Sequence, residues 1–103
     1  MIGAGQGLDI YMNEVHDLVV TKSWNPDFRD QICRLHGEIS EAFEKWSRGG
    51  TAADVAEELS DAFIFLMGLF WLLDESPQEH YCKKMVINWK RDNAVMIRRG
   101  EDG

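Results

Sequence analysis

Four acidic residues of this chain fall into two pairs, Glu38 with Glu41 and Glu58 with Asp61, each pair three residues apart inside a segment with helical periodicity. Three residues is close to one helical turn, so both carboxylates of a pair lie on one face. If two antiparallel helices oppose those faces, four carboxylates converge, and like charges repel unless a cation neutralises them. A ligand set made only of hard oxygens selects Mg²⁺, with Mn²⁺ as a substitute. Glutamates three apart ordinarily mark a solvated face. Here Glu38 is flanked by Leu35, Ile39 and Ala42, and Asp61 directly precedes the most apolar run of the chain, so these acids border the core, where they need partners. A carboxylate-bridged di-iron site would take a Glu-x-x-His from each of two helices. His16, His36 and His80 are preceded at the third position by Asn13, Cys33 and Pro77, which argues against iron. His36, two residues before Glu38, is a candidate hydrogen-bond donor beside the acids.

A second stripe carries donors. Lys84, Asn88 and Arg91 stand at i, i+4 and i+7 and place two cations and an amide on one helical face, the donor set that a triphosphate wants. Aromatic residues at helical spacing are by default core or interface, and Trp71 and Trp89 are read that way. Trp24 lies in a turn before Asn25-Pro26, and Trp46 ends the helix that carries the first acid pair. Either indole can stack on a base. The glycine-rich start, Gly3 to Gly7, is no phosphate loop, since neither a strand before it nor a Gly-Lys-Ser/Thr after it is present.

Four helices would position these groups. The first is expected over Leu8 to Val20 and the second over Asp27 to Arg48, where Gly49-Gly50 stops it. Thr51 is the natural N-cap of a third, reaching Leu73, with Asp54 favoured in its first turn by the helix dipole. After Asp61 this helix is apolar nearly all round, which suits the centre of a bundle or a subunit interface. Ser76 caps the fourth, with Pro77 at its first position, and the pattern continues to Met96. The segments Met1 to Gly7 and Arg98 to Gly103 read as a loose start and a frayed tail. No strand-like alternation appears, so the chain reads as one all-α domain spanning residues 1–103.

A chain of 103 residues supports a thin core, and oligomerisation is the economical way to cover a long apolar helix. Net charge of −7 and a pI near 4.8 argue against sequence-independent nucleic-acid binding, which needs clustered cations. Lys83, Lys84, Lys90, Arg91, Arg98 and Arg99 nevertheless gather in the last quarter and suit a small polyphosphate. Cys33 and Cys82 lack metal or disulfide spacing and are expected to pack as free thiols. The apolar run from Ala62 to Leu73 spans roughly 18 Å as a helix, too short for a bilayer. No membrane contact and a cytoplasmic location are expected.

The strings Leu35-His36-Gly37-Glu38-Ile39-Ser40-Glu41-Ala42-Phe43 and Glu57-Glu58-Leu59-Ser60-Asp61-Ala62, with Trp24-Asn25-Pro26 before them and Lys84-Met85-x-x-Asn88-x-x-Arg91 after them, resemble the MazG-like nucleotide pyrophosphohydrolases. Together they cover most of the chain. The resemblance implies a four-helix bundle completed by oligomerisation, as a homodimer or a dimer-of-dimers tetramer. It implies Mg²⁺-dependent hydrolysis of a nucleoside triphosphate, with deoxynucleotides favoured, to the monophosphate and pyrophosphate, in house-cleaning or control of nucleotide pools. Glu38, Glu41, Glu58 and Asp61 would hold the metal, with Glu38 or Glu41 able instead to accept a proton from the attacking water. Lys84, Asn88 and Arg91 would meet phosphates and sugar, with Lys90 a weaker phosphate donor, and Trp24 and Trp46 would line the base pocket. Two departures are visible: Gly37 stands where many members have a further glutamate, leaving one fewer carboxylate for a second metal ion, and Phe65 stands where some have a tyrosine. Two alternatives stay open, a non-catalytic helical interaction module that binds structural Mg²⁺ and an enzyme similar to the phosphoribosyl-ATP pyrophosphohydrolases.

Overall fold

In the computed structural model, which describes residues 7–24 and 27–91, the chain folds as four helices: α1 (Leu8–Thr21), α2 (Phe28–Ser47), α3 (Ala52–Leu72) and α4 (Pro77–Lys90). The described residues contain no strand, so the all-α expectation holds. Caps set the boundaries. The side chains of Asp27, Thr51 and Ser76 accept from the N–H groups of Asp30, Asp54 and Glu79, each satisfying an otherwise orphaned donor in a first turn.

The C-terminal ends of α1, α2 and α3 share one construction, in which a residue with positive φ reverses the chain while its N–H and the next one bond back to the last turn. At the end of α2 that residue is Gly49, with φ of 80°, and the Gly50 N–H reaches the Lys45 carbonyl at 2.8 Å. At the ends of α1 and α3 it is Ser23 and Asp74, with φ of 57° and 55°. The tight turn at Gly49 folds α3 back along α2, so that Lys45 near the end of α2 meets Glu58 near the start of α3.

This α2–α3 hairpin is the main packing unit, with α1 laid against α3 and α4 against α1. Tyr11 meets Phe63 edge-on, Val15 lies over Gly68 and His16 stacks on Trp71, so α1 runs in the same direction as α3. The N-termini of α1 and α4 interlock. Asp9 is fully buried and accepts from the Ser76 hydroxyl at 2.8 and 2.9 Å and from the Gln78 N–H at 3.2 Å, while the Leu8 N–H donates to Gln78 Oε1. Gly7, with φ of 43° and ψ of −121°, takes a backbone conformation that strains any residue with a side chain, and the Gln78 amide lies where that side chain would begin.

Among the described residues the buried apolar core is thin, consisting of Met12, Ala42, Ala62, Met67 and Leu69. Ile39, Phe43, Leu59, Phe63 and Leu66 on the hairpin remain exposed. Three expectations are corrected. Cys33 and Cys82 are free thiols but exposed, not packed. Trp89, read as core or interface, is 80% exposed in the single chain, so it is the core half of that reading that is corrected. Helix α4 ends at Lys90 with Arg91 as its C-cap, at φ of −73° and ψ of 138°, so the helix stops short of its expected end. Asp92-Asn93, which follows in sequence, has low helix propensity. The continuation to Met96, the loose start at 1–6, the tail at 98–103 and the Asn25-Pro26 dipeptide lie outside the described residues. No described helix is long and apolar enough to cross a membrane.

Candidate metal centre and the adjoining cavity

The turn at Gly49 and the cap at Thr51 set the register of the hairpin, and that register decides which acids meet. Glu38 from α2 and Glu58 and Asp61 from α3 each place a carboxylate oxygen within 4.8 Å of the other two. Glu58 is buried, Glu38 half-buried and Asp61 exposed, so the group opens to solvent on one side. Glu41 is exposed and lies outside this tight group, yet near enough that its charge acts on Glu38. Three of the four acids singled out from spacing therefore converge, and the fourth stands beside them.

Electrostatics make the three unequal. Burial, then the charge of Glu41, pushes the Glu38 carboxyl above the ordinary range, with a hydrogen bond to Glu58 and the charges of Glu58 and Asp61 adding to it. Glu58 goes the other way. Its Oε2 lies 2.8 Å from Lys45 Nζ, and that hydrogen-bonded ion pair holds its pKa down against the effect of burial. When protonated, Glu38 donates to the Glu58 carboxylate, which Lys45 also meets. As a donor set the group is all carboxylate oxygen, from two helices, with no imidazole or thiolate among the converging ligands. That chemistry fits a hard divalent ion of the Mg²⁺ or Mn²⁺ type, with open positions left for water or a phosphate oxygen.

One turn away the hairpin opens into a cavity of about 650 Å³ between α1, the first half of α2 and the second half of α3. Arg34, one turn before Glu38, and Ile64 and Phe65, one turn after Asp61, lie at its wall, so cavity and acids share the same groove. Its body is aromatic and aliphatic, with Trp24, Trp71 and Phe65 among the lining residues, and its polar edge comes from α2 through Asp27, Asp30, Gln31 and Arg34. The His16 ring stacks on Trp71 at a centroid separation of 3.6 Å. Arg34 Nε donates to Asp30 Oδ2 at 2.8 Å, an exposed pair that raises the arginine pKa further and leaves the terminal guanidinium nitrogens for another acceptor.

The remaining expected site residues divide. Trp24 lines the cavity and is 55% exposed, held at the end of α1 by the bond from its N–H to the Val19 carbonyl. Trp46 does not line it; it is 66% exposed and lies beside Phe43, with ring centroids 6.0 Å apart. Lys84 and Asn88 sit on α4, whose main packing partner is α1, and neither makes an ion pair or side-chain hydrogen bond with the acid group. His36 is exposed. Lys45 and His16 were not singled out from sequence. Lys45 was findable, because it stands seven residues after Glu38 and so on the same face of α2.

No protein-family model matches this chain, and no solved structure matches it. A 46-residue segment is 41% identical to part of a protein of Christiangramia forsetii named 3-methyl-2-oxobutanoate hydroxymethyltransferase. That segment is 44% of this chain and 17% of that protein, so the chain spans a small part of its length and the match assigns neither family nor activity.

Proposed function

We propose that the chain is a Mg²⁺-dependent nucleoside triphosphate pyrophosphohydrolase of the MazG-like type, cleaving between the α and β phosphates, with deoxynucleotides favoured. The observation that carries this reading is the convergence of Glu38, Glu58 and Asp61 one turn from an aromatic-lined cavity of about 650 Å³. A nucleoside triphosphate needs both halves, a cation site for its phosphates and a flat apolar slot for its base.

In this reading Trp24 and its aromatic neighbours stack the base, a contact worth about 1–3 kcal/mol. Asp30, Gln31 and Arg34 face its edge or the first phosphates. Glu38, Glu58 and Asp61 hold the divalent ion, with Mn²⁺ able to substitute. Bound there, the ion supplies charge neutralisation for the triphosphate and for the departing pyrophosphate. Glu41, left outside the ligand group, is the carboxylate free to accept a proton from the attacking water. The water oxygen bonds to the α-phosphorus as the bond from that phosphorus to the bridging oxygen breaks, giving the monophosphate and pyrophosphate. Removal of triphosphates that would damage a nucleotide pool is the role this chemistry suits.

The reading also includes a homodimer or a dimer of dimers. Ile39, Phe43, Leu59, Phe63 and Leu66 expose too much apolar surface on one hairpin for a lone domain with so thin a core. A second copy would cover it and offer the Lys84 and Asn88 face to the phosphates. The competing reading, a metal-binding helical module without turnover, draws on the ion pair of Lys45 with Glu58, which already neutralises part of the acid group.

The test is to incubate the purified chain with each common dNTP and NTP and Mg²⁺, with an EDTA control, and to separate products by ion exchange. Monophosphate with pyrophosphate, lost in EDTA, is expected. Diphosphate with phosphate, or activity untouched by EDTA, would overturn the assignment. Metal-dependent stability without product would favour the module. Sedimentation at micromolar concentration should give a species of at least two chains; a stable monomer would remove the oligomeric part.

A further inference from the structure

Lys45 is the one basic side chain ion-paired with the acid group among the described residues, and it pairs with the most buried of the three acids. Its Nζ is 2.8 Å from Glu58 Oε2, with the Glu58 side chain 11% exposed and that of Lys45 40%. The partner was not dictated by sequence neighbourhood. Glu41 stands four residues before Lys45 on the same helix, the spacing of an ordinary surface pair, yet the ammonium reaches across to α3.

We propose that Lys45 is a built-in counter-cation of this site, which occupies Glu58 when no divalent metal is bound and must release it when one enters. The proposal rests on the metal-binding part of the functional reading. A divalent ion among Glu38, Glu58 and Asp61 would bind the same carboxylate whose Oε2 the ammonium holds, and two cations on one carboxylate repel. Lys45 has somewhere to go. Its ammonium already feels the charges of Glu57 and Asp54, which precede Glu58 by one and four residues on the opening turns of α3. A long flexible stem reaches such positions by changes of rotamer alone. The pair thereby keeps the carboxylates from repelling one another apart in the absence of metal, and sets a threshold of free metal below which the site stays closed to it.

The experiment measures Mn²⁺ binding by loss of the free-ion EPR signal, using the EDTA-stripped full chain as wild type, Lys45→Met, Lys45→Arg and Asp61→Asn. Methionine keeps the apolar stem and removes the charge, and should bind Mn²⁺ about tenfold more tightly, the scale on which one adjacent charge shifts a carboxylate by a pH unit. Arginine keeps the competing cation and should stay near wild type. Unchanged or weaker binding in Lys45→Met with helical circular dichroism intact would overturn the proposal while leaving the metal reading standing. Saturable Mn²⁺ binding absent from both wild type and Lys45→Met, or identical in Asp61→Asn, would overturn both. The wild-type chain gives a second readout that survives a misfolded variant: the Lys45 side-chain amine resonance should move toward the solvated position as Mg²⁺ saturates, and a resonance that does not move contradicts the release.

Discussion

This chain buries acid in two places, and it treats them differently. At the joint between α1 and α4, Asp9 is out of contact with solvent and every donor it needs is supplied: the Ser76 hydroxyl, the Gln78 N–H and the N-terminal end of α4. In the α2–α3 hairpin, Glu38, Glu58 and Asp61 crowd within 4.8 Å of one another with one lysine among them; burial and the neighbouring acids raise Glu38, while the Lys45 ammonium lowers Glu58. The same polypeptide that solves the problem at one joint leaves it unsolved at the other. The fold alone accounts for Asp9, whereas the crowded acids of the hairpin are the group on which the proposed metal binding rests.

The largest effect should come from removing a ligand at the unsatisfied place. Asp61→Asn keeps the size and the helix and takes away one charge, and loss of several kcal/mol of charge stabilisation corresponds to a fall in turnover on the order of a thousandfold. Its melting temperature in EDTA should stay level or rise. Activity within tenfold of wild type would mean that the acids are only crowded.

The next effect should fall at the satisfied place. Asp9→Ala leaves the Ser76 hydroxyl and the Gln78 N–H buried without an acceptor, at a cost of about 2–3 kcal/mol. A urea titration should show that loss with an unchanged slope, while Mn²⁺ affinity of the folded protein stays as it was. A large loss of metal affinity there would erase the distinction between the two regions.

How much of each region was legible follows from locality. The acids of the hairpin announce themselves because their spacing is within one helix, and so do the caps at Thr51 and Ser76, each read from a residue and its near neighbours. Asp9 was overlooked because its partners lie 67 and 69 residues away. A local trace did exist, since Asp9, Met12 and His16 fall on one face of α1 and the first two are buried. Trp24 and Trp46 looked equivalent in sequence, yet one lines the cavity and the other does not, because cavity walls depend on which helices pack. Trp24→Ala should therefore raise KM about tenfold, as expected for the loss of about 1–3 kcal/mol of stacking. Trp46→Ala should change KM less, unless a second copy brings Trp46 to the site. Equal effects from both would place the base elsewhere.

Proton linkage probes the acids of the hairpin without touching metal. Glu38 is raised, so the fold favours its protonated form: its contribution to stability is present below the ordinary glutamate value and lost as pH rises through the raised one. Glu58 is lowered, so its contribution is present above the ordinary value and lost as pH falls through the lowered one. In EDTA, Glu38→Gln should remove the loss on the rising side and raise the melting temperature at neutral pH, while metal binding falls. Lys45→Met should remove the contribution that acid titrates away. A Glu38→Gln protein no more stable than wild type at neutral pH would mean that solvent already relieves the crowding.

The smallest effect tests the turns that set both regions. Helix α2 ends on Gly49, which adopts positive φ without a side-chain penalty, whereas α1 ends on Ser23 at φ of 57° and α3 on Asp74 at φ of 55°. A left-handed conformation costs a residue with a β-carbon about 1–2 kcal/mol. Aspartate offsets part of that by bonding to nearby backbone, and serine does so more weakly. Glycine also frees the unfolded chain, which takes back about 0.4–1 kcal/mol. The balance should leave Ser23→Gly more stable by about 0.5 kcal/mol and Asp74→Gly close to neutral. Urea midpoints can resolve the pair if both variants are measured against wild type in one series. Because the Ser23 turn also carries Trp24 to the cavity wall, KM in Ser23→Gly reports whether glycine keeps the indole in place. Gained stability with an unchanged KM would show a helix end held only by its backbone bonds, and gained stability with a raised KM would show that the strained serine helps to aim the ring.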